Sequence, residues 1–172
     1  TEDGAGGFTS CALHPGEERE YRFKVHPRDV GTHWYHSHMG TSRADGLWGM
    51  FIVHSRRDER RLSGVHWDTE VPVAIGDHYH RPSPEWYAWY ISRGSFGAEP
   101  VPDSGLINGQ HVFNCEHSRL TEVPCPAQQR FGRDRVGRYT EFRLDPAKRA
   151  RLRIVNVGAV ADMTFSLSLI HI

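Results

Sequence analysis

Two apolar, aromatic-rich runs on either side of a glycine-bearing turn, between Gly31 and His54, constrain this chain more than any other feature. "THWYHSH" alternates with the period of two that lets a pleated strand turn one face to a core, and "LWGMFIVH" (Leu47 to His54) is nearly continuous apolar sequence. "RADG" between them supplies turn residues, so the pair predicts a hairpin. Further strands are expected in "EYRFKV" (Glu20 to Val25), "VPVAIGD" (Val71 to Asp77), "GLINGQHVF", "YTEFRL" and "ARLRIVNV". The last alternates Leu152, Ile154 and Asn156 against Arg151, Arg153 and Val155. One short helix is expected in "SPEWYAWYIS", with Ser83 as N-cap and Pro84 in the first turn. Short strands spaced by turns, with little helix, predict an all-β sandwich.

Arg56 to Ser63, "RRDERRLS", is charged and poor in core formers, and it reads as a solvated linker at a domain boundary. No internal repeat stands out. Lysine plus arginine and aspartate plus glutamate balance at 21 each, which removes the basic field that nucleic-acid binding needs. No run approaches the roughly 18 apolar residues of a membrane span, and the first residues lack the basic start and apolar stretch of a signal peptide. Of three cysteines, Cys115 and Cys125 are close enough in sequence to close a small loop, whereas Cys11 is left without a partner. An odd cysteine and a start without methionine suggest a fragment of a longer chain.

His33, His36 and His38 crowd into six positions. On an extended strand, side chains two apart share a face, so His36 and His38 point together and His33 points away. That pair suits one metal, or two adjacent metals with one imidazole each, and neutral imidazole suits copper, zinc, iron or nickel. His78 and His80 form a second such pair, but Arg81 and Pro82 follow at once and no glycine-rich turn stands behind them. His14, His26, His54, His66, His111 and His117 read as surface or loop residues, and Asp45 as a turn residue bonded to local backbone. Local signatures of serine hydrolases, nucleotide binders and zinc proteases are missing.

"GTHWYHSHMGTSRADGLWGMFIVH" closely resembles the second copper motif of multicopper oxidases, the family of laccases, ascorbate oxidases and fungal iron oxidases, which reads G-T-x-W-Y-H-S-H followed by D-G-L-x-G. "SCALHPGEEREYRF" upstream, and "EVPVAIGDHYH", "SFGAEPVPDSGLINGQHVFNC" and "RLRIVNVGAVADMTFSL" downstream, extend the resemblance over nearly the whole chain. The wording is nearest to fungal laccase-like and ascorbate-oxidase-like members.

The resemblance implies cupredoxin (plastocyanin-like) Greek-key domains: the end of a first over residues 1–57, a linker at 58–70, and the opening of a second over 71–172. It implies copper, in a parent that couples one-electron oxidation of a phenolic, ascorbate or ferrous iron to four-electron reduction of O2. In such a parent a type 1 copper takes electrons from the substrate and a three-copper cluster reduces O2. By position His36 and His38 are ligands of the type 3 copper pair, while His33 falls on the variable position. His80 matches a histidine that is not a ligand, and His78 replaces a tryptophan.

The family's H-W-H-G, H-P-x-H-x-H and H-C-H motifs are absent, so the remaining ligands belong to missing domains and this chain alone is expected to be inactive. Cys115 and Cys125 match a family disulfide, and Cys11 a cysteine that pairs near a distant C-terminus. Disulfides imply a secreted or cell-surface parent. "GAEP" places Glu99 where a family segment supplies an acidic, substrate-side residue. Leu167 to Ile172 depart from the family and resemble a translated sequencing adaptor, so His171 receives no role. The alternative is a non-catalytic cupredoxin-like module that binds copper or a partner without electron transfer.

Overall fold

The computed structural model describes residues 6–55, 65–116, 130–131 and 135–168. They form strands with one short helix. Strand β1 (Gly31–His36) pairs antiparallel with β2 (Trp48–Val53), with Thr32 opposite Ile52, Trp34 opposite Met50 and His36 opposite Trp48. Alternation divides the hairpin cleanly. His33, Tyr35 and Phe51 face outward, whereas Thr32, Trp34 and His36 are half-buried on the other face.

That inner face is covered by a three-stranded sheet. Its central strand β3 (Thr69–His78) pairs antiparallel with β4 (Ser104–Ile107) and parallel with β8 (Ala150–Asn156). Ala74, Val155 and Val157 form the buried core there, and Trp34, Trp48 and Met50 of the hairpin pack against it. A smaller sheet joins β5 (Val112–Asn114), β7 (Arg135–Gly137) and β6 (Arg130–Phe131).

Pro72 sits inside β3, where a residue without an N–H is usually excluded. It is tolerated because β4 pairs only with residues 75–78, leaving that flank to the turn between β4 and β5. There the Asn108 side chain donates to the Pro72 carbonyl at 3.1 Å and accepts from the Ala74 amide at 2.7 Å. Asn108 and Gly109 both have positive φ, 48° and 72°, as an Asn-Gly turn favours. "GLINGQHVF" is therefore two strands about a turn that also finishes the edge of β3.

Several expectations are corrected. Glu20–Val25 is not a strand: Tyr21, Phe23 and Val25 are exposed, and the segment joins no ladder among the described residues. Alternation makes a strand only where a neighbour takes up the backbone groups, and Phe23 has just an edge contact with Phe51, 6.0 Å between ring centroids. "YTEFRL" is not a strand either; its Tyr139, Phe142 and Leu144 are exposed, and the Thr140 hydroxyl bonds the Ile107 carbonyl.

The helix α1 spans Ser83–Tyr90, with Pro82 rather than Ser83 at the N-cap position. On β8 the arginine side turns inward: Arg153 and Val155 are buried while Ile154 is exposed. The reason is Glu70, whose carboxylate accepts from Arg153 Nε at 2.8 Å and Nη2 at 2.7 Å, while Nη1 donates to Thr32 Oγ1 at 3.0 Å. A guanidinium so satisfied can be buried. The expected linker Arg56–Ser63, and Cys125 and His117, lie outside the described residues.

Candidate metal centre

β1 ends at His36, and His38 lies two residues beyond it, in the loop that leads to β2. Extended parity nonetheless carries across the strand end: the two imidazoles stack with centroids 4.8 Å apart and planes at 13°. Trp34 backs the His36 ring at 4.4 Å. His33 points away and bonds the Asp29 carbonyl through Nε2 at 2.8 Å. The strand-parity reading of the three histidines thus matches their placement.

His36 Nδ1 lies 3.0 Å from the Ser37 carbonyl oxygen. A carbonyl can only accept, so Nδ1 carries the proton and the Nε2 lone pair is left for a metal, the arrangement by which an outer partner fixes the tautomer of a ligating histidine. His36 is half-buried and His38 exposed. The donor set therefore fits copper as two imidazole ligands. It does not make a complete site, since among the described residues no three His, Cys, Asp or Glu side chains form one.

The loop is braced from within and from outside. Ser42 Oγ lies 2.6 Å from Ser37 Oγ, and the Met39 amide donates to Ser37 Oγ at 3.2 Å. Gly46, at φ +97°, closes the turn where a side chain would be strained. Asp45 is not bonded to local backbone through its side chain as expected of a turn aspartate. Its carboxylate accepts from Ser83 N at 2.8 Å and Ser83 Oγ at 2.6 Å, so it caps α1 from 38 residues away. Thr41 Oγ1 reaches the same Ser83 hydroxyl at 2.6 Å, and Ser83 is fully buried. A charged acceptor outcompetes the hydroxyl expected to cap the helix itself.

Between this loop and α1 lies a cavity of about 380 Å³ lined by Ser37, Thr41, Arg43, Trp86, Tyr90 and Glu99, among others. Glu99 is exposed on its wall. Tyr79 stacks on Trp86 at 4.6 Å and donates to the Pro100 carbonyl at 3.3 Å; burial pushes its phenol up to about 12.

The second histidine pair is better built than its sequence suggests. His78 ends β3 and His80 follows two residues later, repeating the placement of His36 and His38. His111, expected on the surface or in a loop, is buried beside them. Burial first, and then the charge of His80 on His78 and of His78 and His80 on His111, push these two imidazoles below the usual histidine range. His111 follows His80 by 31 positions, and no local spacing could have joined them.

Two family models described as Multicopper oxidase match the chain, one over residues 1–58 and the other over residues 69–168. L-ascorbate oxidase of Cucumis sativus is 28% identical over 170 residues, covering 96% of this chain and 27% of that protein. Laccase-4 of Thanatephorus cucumeris is 30% identical over 167 residues, covering 96% and 28%. The crystal structure of a laccase from Botrytis aclada superposes with a TM-score of 0.54 at 26% identity, over 75% of this chain and 20% of that one. The chain thus spans little more than a quarter of the length of these two curated relatives. The expected all-β, cupredoxin-like fold class agrees with that structure.

Proposed function

The chain belongs to the multicopper oxidase family, whose cofactor is copper, and on that premise we propose that it supplies His36 and His38 to the type 3 copper pair of an oxidase. Bound copper would provide the redox chemistry: four one-electron oxidations of a small donor, and delivery of four electrons and four protons to O2 to give two waters. The chain's own part is to present two lone pairs. The Ser37 carbonyl fixes the His36 tautomer, stacking holds the His38 ring parallel to it, and the Asp45 cap ties the loop to α1. The stacked pair with an oriented Nε2 is the observation that carries this reading.

The remaining ligands, and the type 1 copper that receives substrate electrons, would come from other domains of the parent. Within this chain the division is residues 1–57, a linker at 58–70, and a second cupredoxin domain from 71, with a Cys115–Cys125 disulfide suited to a secreted or cell-surface protein. The reducing substrate is a phenolic, ascorbate or ferrous iron. Glu99, exposed on the cavity wall, is the carboxylate through which an iron-oxidising parent would act.

The test is His36→Ala and His38→Ala in the full-length protein, read by copper content per chain and by O2 consumption. Each variant should lose type 3 copper and O2 reduction together. Full copper content and turnover in either would refute the assignment. Copper uptake through these histidines with no O2 reduction in the unmutated protein would identify a non-catalytic binding module instead.

A further inference from the structure

His78, His80 and His111 form a triangle at the corner where β3, β4 and β5 meet, and the copper chemistry above does not use it. Their ring centroids are 5.5, 5.6 and 5.8 Å apart, His78 to His80, His78 to His111 and His80 to His111. Bonds that close the corner run through these residues. His78 pairs with Ser104 across the β3–β4 ladder, and its carbonyl accepts from the Asp103 amide at 3.0 Å. The His80 amide donates to the Asp103 carboxylate at 2.7 Å, and its Nε2 lies 2.8 Å from Ser104 Oγ. His111 stands directly before β5.

His111 makes this corner sensitive to protons. It is 7% exposed, and neither Nδ1 nor Nε2 has a hydrogen-bond partner. As a neutral ring it leaves one N–H and one lone pair unmatched, which is the smaller cost. As a cation it would bury a charge and two donors without an acceptor, against two further imidazoles, and that is far more costly. The charges that bear on it are those of His78 and His80, both positive when protonated. His78 is half-buried, with His80 opposing its charge and Asp103, Asp45 and Asp77 favouring it. Two of those carboxylates are already committed, Asp45 to Ser83 and Asp77 to the backbone amides of Ala159, Val160 and Ala161.

We propose that this cluster is an acid-sensitive latch: with its rings neutral the corner of β3, β4 and β5 is closed, and protonation of His78 and His111 drives it open. Burial, and then the neighbouring imidazoles, hold both rings below the usual histidine range, so the opened chain takes up protons that the closed one refuses. The stability they contribute is whole above the unfolded histidine pKa of about 6.5 and is lost as pH falls through their lower, folded values. Opening carries His111 to water, which solvates its charge, and parts the His78 carbonyl from the Asp103 amide. The latch works whether or not a metal occupies His36 and His38, because none of its three imidazoles belongs to that pair.

The experiment measures hydrogen exchange at the Asp103 and His80 amides of the full-length, copper-loaded protein from about pH 8 to about pH 5, expressed as protection so that the intrinsic pH dependence of exchange cancels. The bonds of those amides go to the His78 carbonyl and the Asp103 carboxylate, and the variants used leave both partners in place. In the unmutated protein protection should fall toward acid. In His111→Phe and in His78→Gln the fall should be smaller, by about threefold or more, whereas His66→Ala, an exposed control, should follow the unmutated protein. Protection that is the same at both ends of the range in the unmutated protein, or that falls in parallel in His78→Gln, would overturn the proposal. His78 is only half-buried, so that variant decides the matter if His111→Phe fails to fold.

Discussion

Glu70→Gln tests the tie between the hairpin and the three-stranded sheet. Arg153 has 3% of its side chain exposed and makes two bonds to the Glu70 carboxylate, at 2.7 and 2.8 Å; its third partner is Thr32 on β1. Removing the carboxylate charge strands a buried guanidinium, which costs about 3–5 kcal/mol in such pairs. Glu70 keeps 20% exposure, so water can partly replace it and the lower end, about 3 kcal/mol, is expected. Arg153→Met should cost less, about 1–2 kcal/mol, because Glu70 keeps Arg151 at 3.5 Å, His54 at 3.7 Å and solvent. The double variant should fall well short of the sum, since both changes remove one interaction.

Urea unfolding would measure all three, with the midpoint moving at constant slope. For Glu70→Gln the melting temperature should drop by about 6–12 °C in a chain of this size. Arg153's hydrogen bond, above all, holds the Glu70 carboxyl below the usual carboxylate range. A depressed carboxylate adds stability above its unfolded pKa of about 4.3 and loses it as pH falls through the lower, folded value. The gap between wild type and Glu70→Gln should therefore be constant above about pH 5 and close in acid below about pH 4. A larger loss in Arg153→Met than in Glu70→Gln, or a double variant equal to the sum, would refute the reasoning.

Two further predictions concern lone carboxylates that serve distant backbone. Asp45→Ala should cost about 1 kcal/mol, the usual worth of a helix cap, and speed hydrogen exchange at the Ser83 amide, whose bond it removes; unchanged exchange there would dismiss the cap. Asp77 accepts from the amides of Ala159, Val160 and Ala161 at 2.7–2.8 Å, so Asp77→Ala should cost about 3 kcal/mol and Asp77→Asn about half as much, each read from the urea midpoint.

What the sequence revealed depended on how far apart the interacting residues lie. In the hairpin, partners are near neighbours across one turn, and alternation alone sorts Thr32, Trp34 and His36 from His33 and Tyr35. The same alternation misleads at Glu20–Val25 and Tyr139–Leu144, because a pattern of side chains does not supply the strand that must take up the backbone bonds. In β8 the period is right, but hydrophobicity points to the wrong face: Glu70, 83 residues away, makes burial of Arg153 cheaper than burial of Ile154. Asp45 with Ser83, and His111 with His80, belong to the same class. Each pair is joined by the fold, and no local motif contains both members.

The placement of His36 and His38 has a consequence for how the metal centre keeps its shape. His36 is the last ladder residue of β1, and the Ser37 amide, which donates to the Leu47 carbonyl at 2.9 Å, carries the pairing one residue further, so His38 is the imidazole that lies beyond it. Further rigidity comes from three contacts: Trp34 and Trp48 against the core of Ala74 and Val155, Arg153 on Thr32, and Asp45 with Thr41 on Ser83. All three run from the hairpin or its loop to the following sheet and helix. Dislocating the two units relative to each other would move the histidines without changing either one. By this logic Glu70, which touches neither His36 nor His38, would act on the geometry of the proposed copper pair through Arg153 and Thr32, and the seating of the hairpin on the sheet would matter to the site as much as its imidazoles.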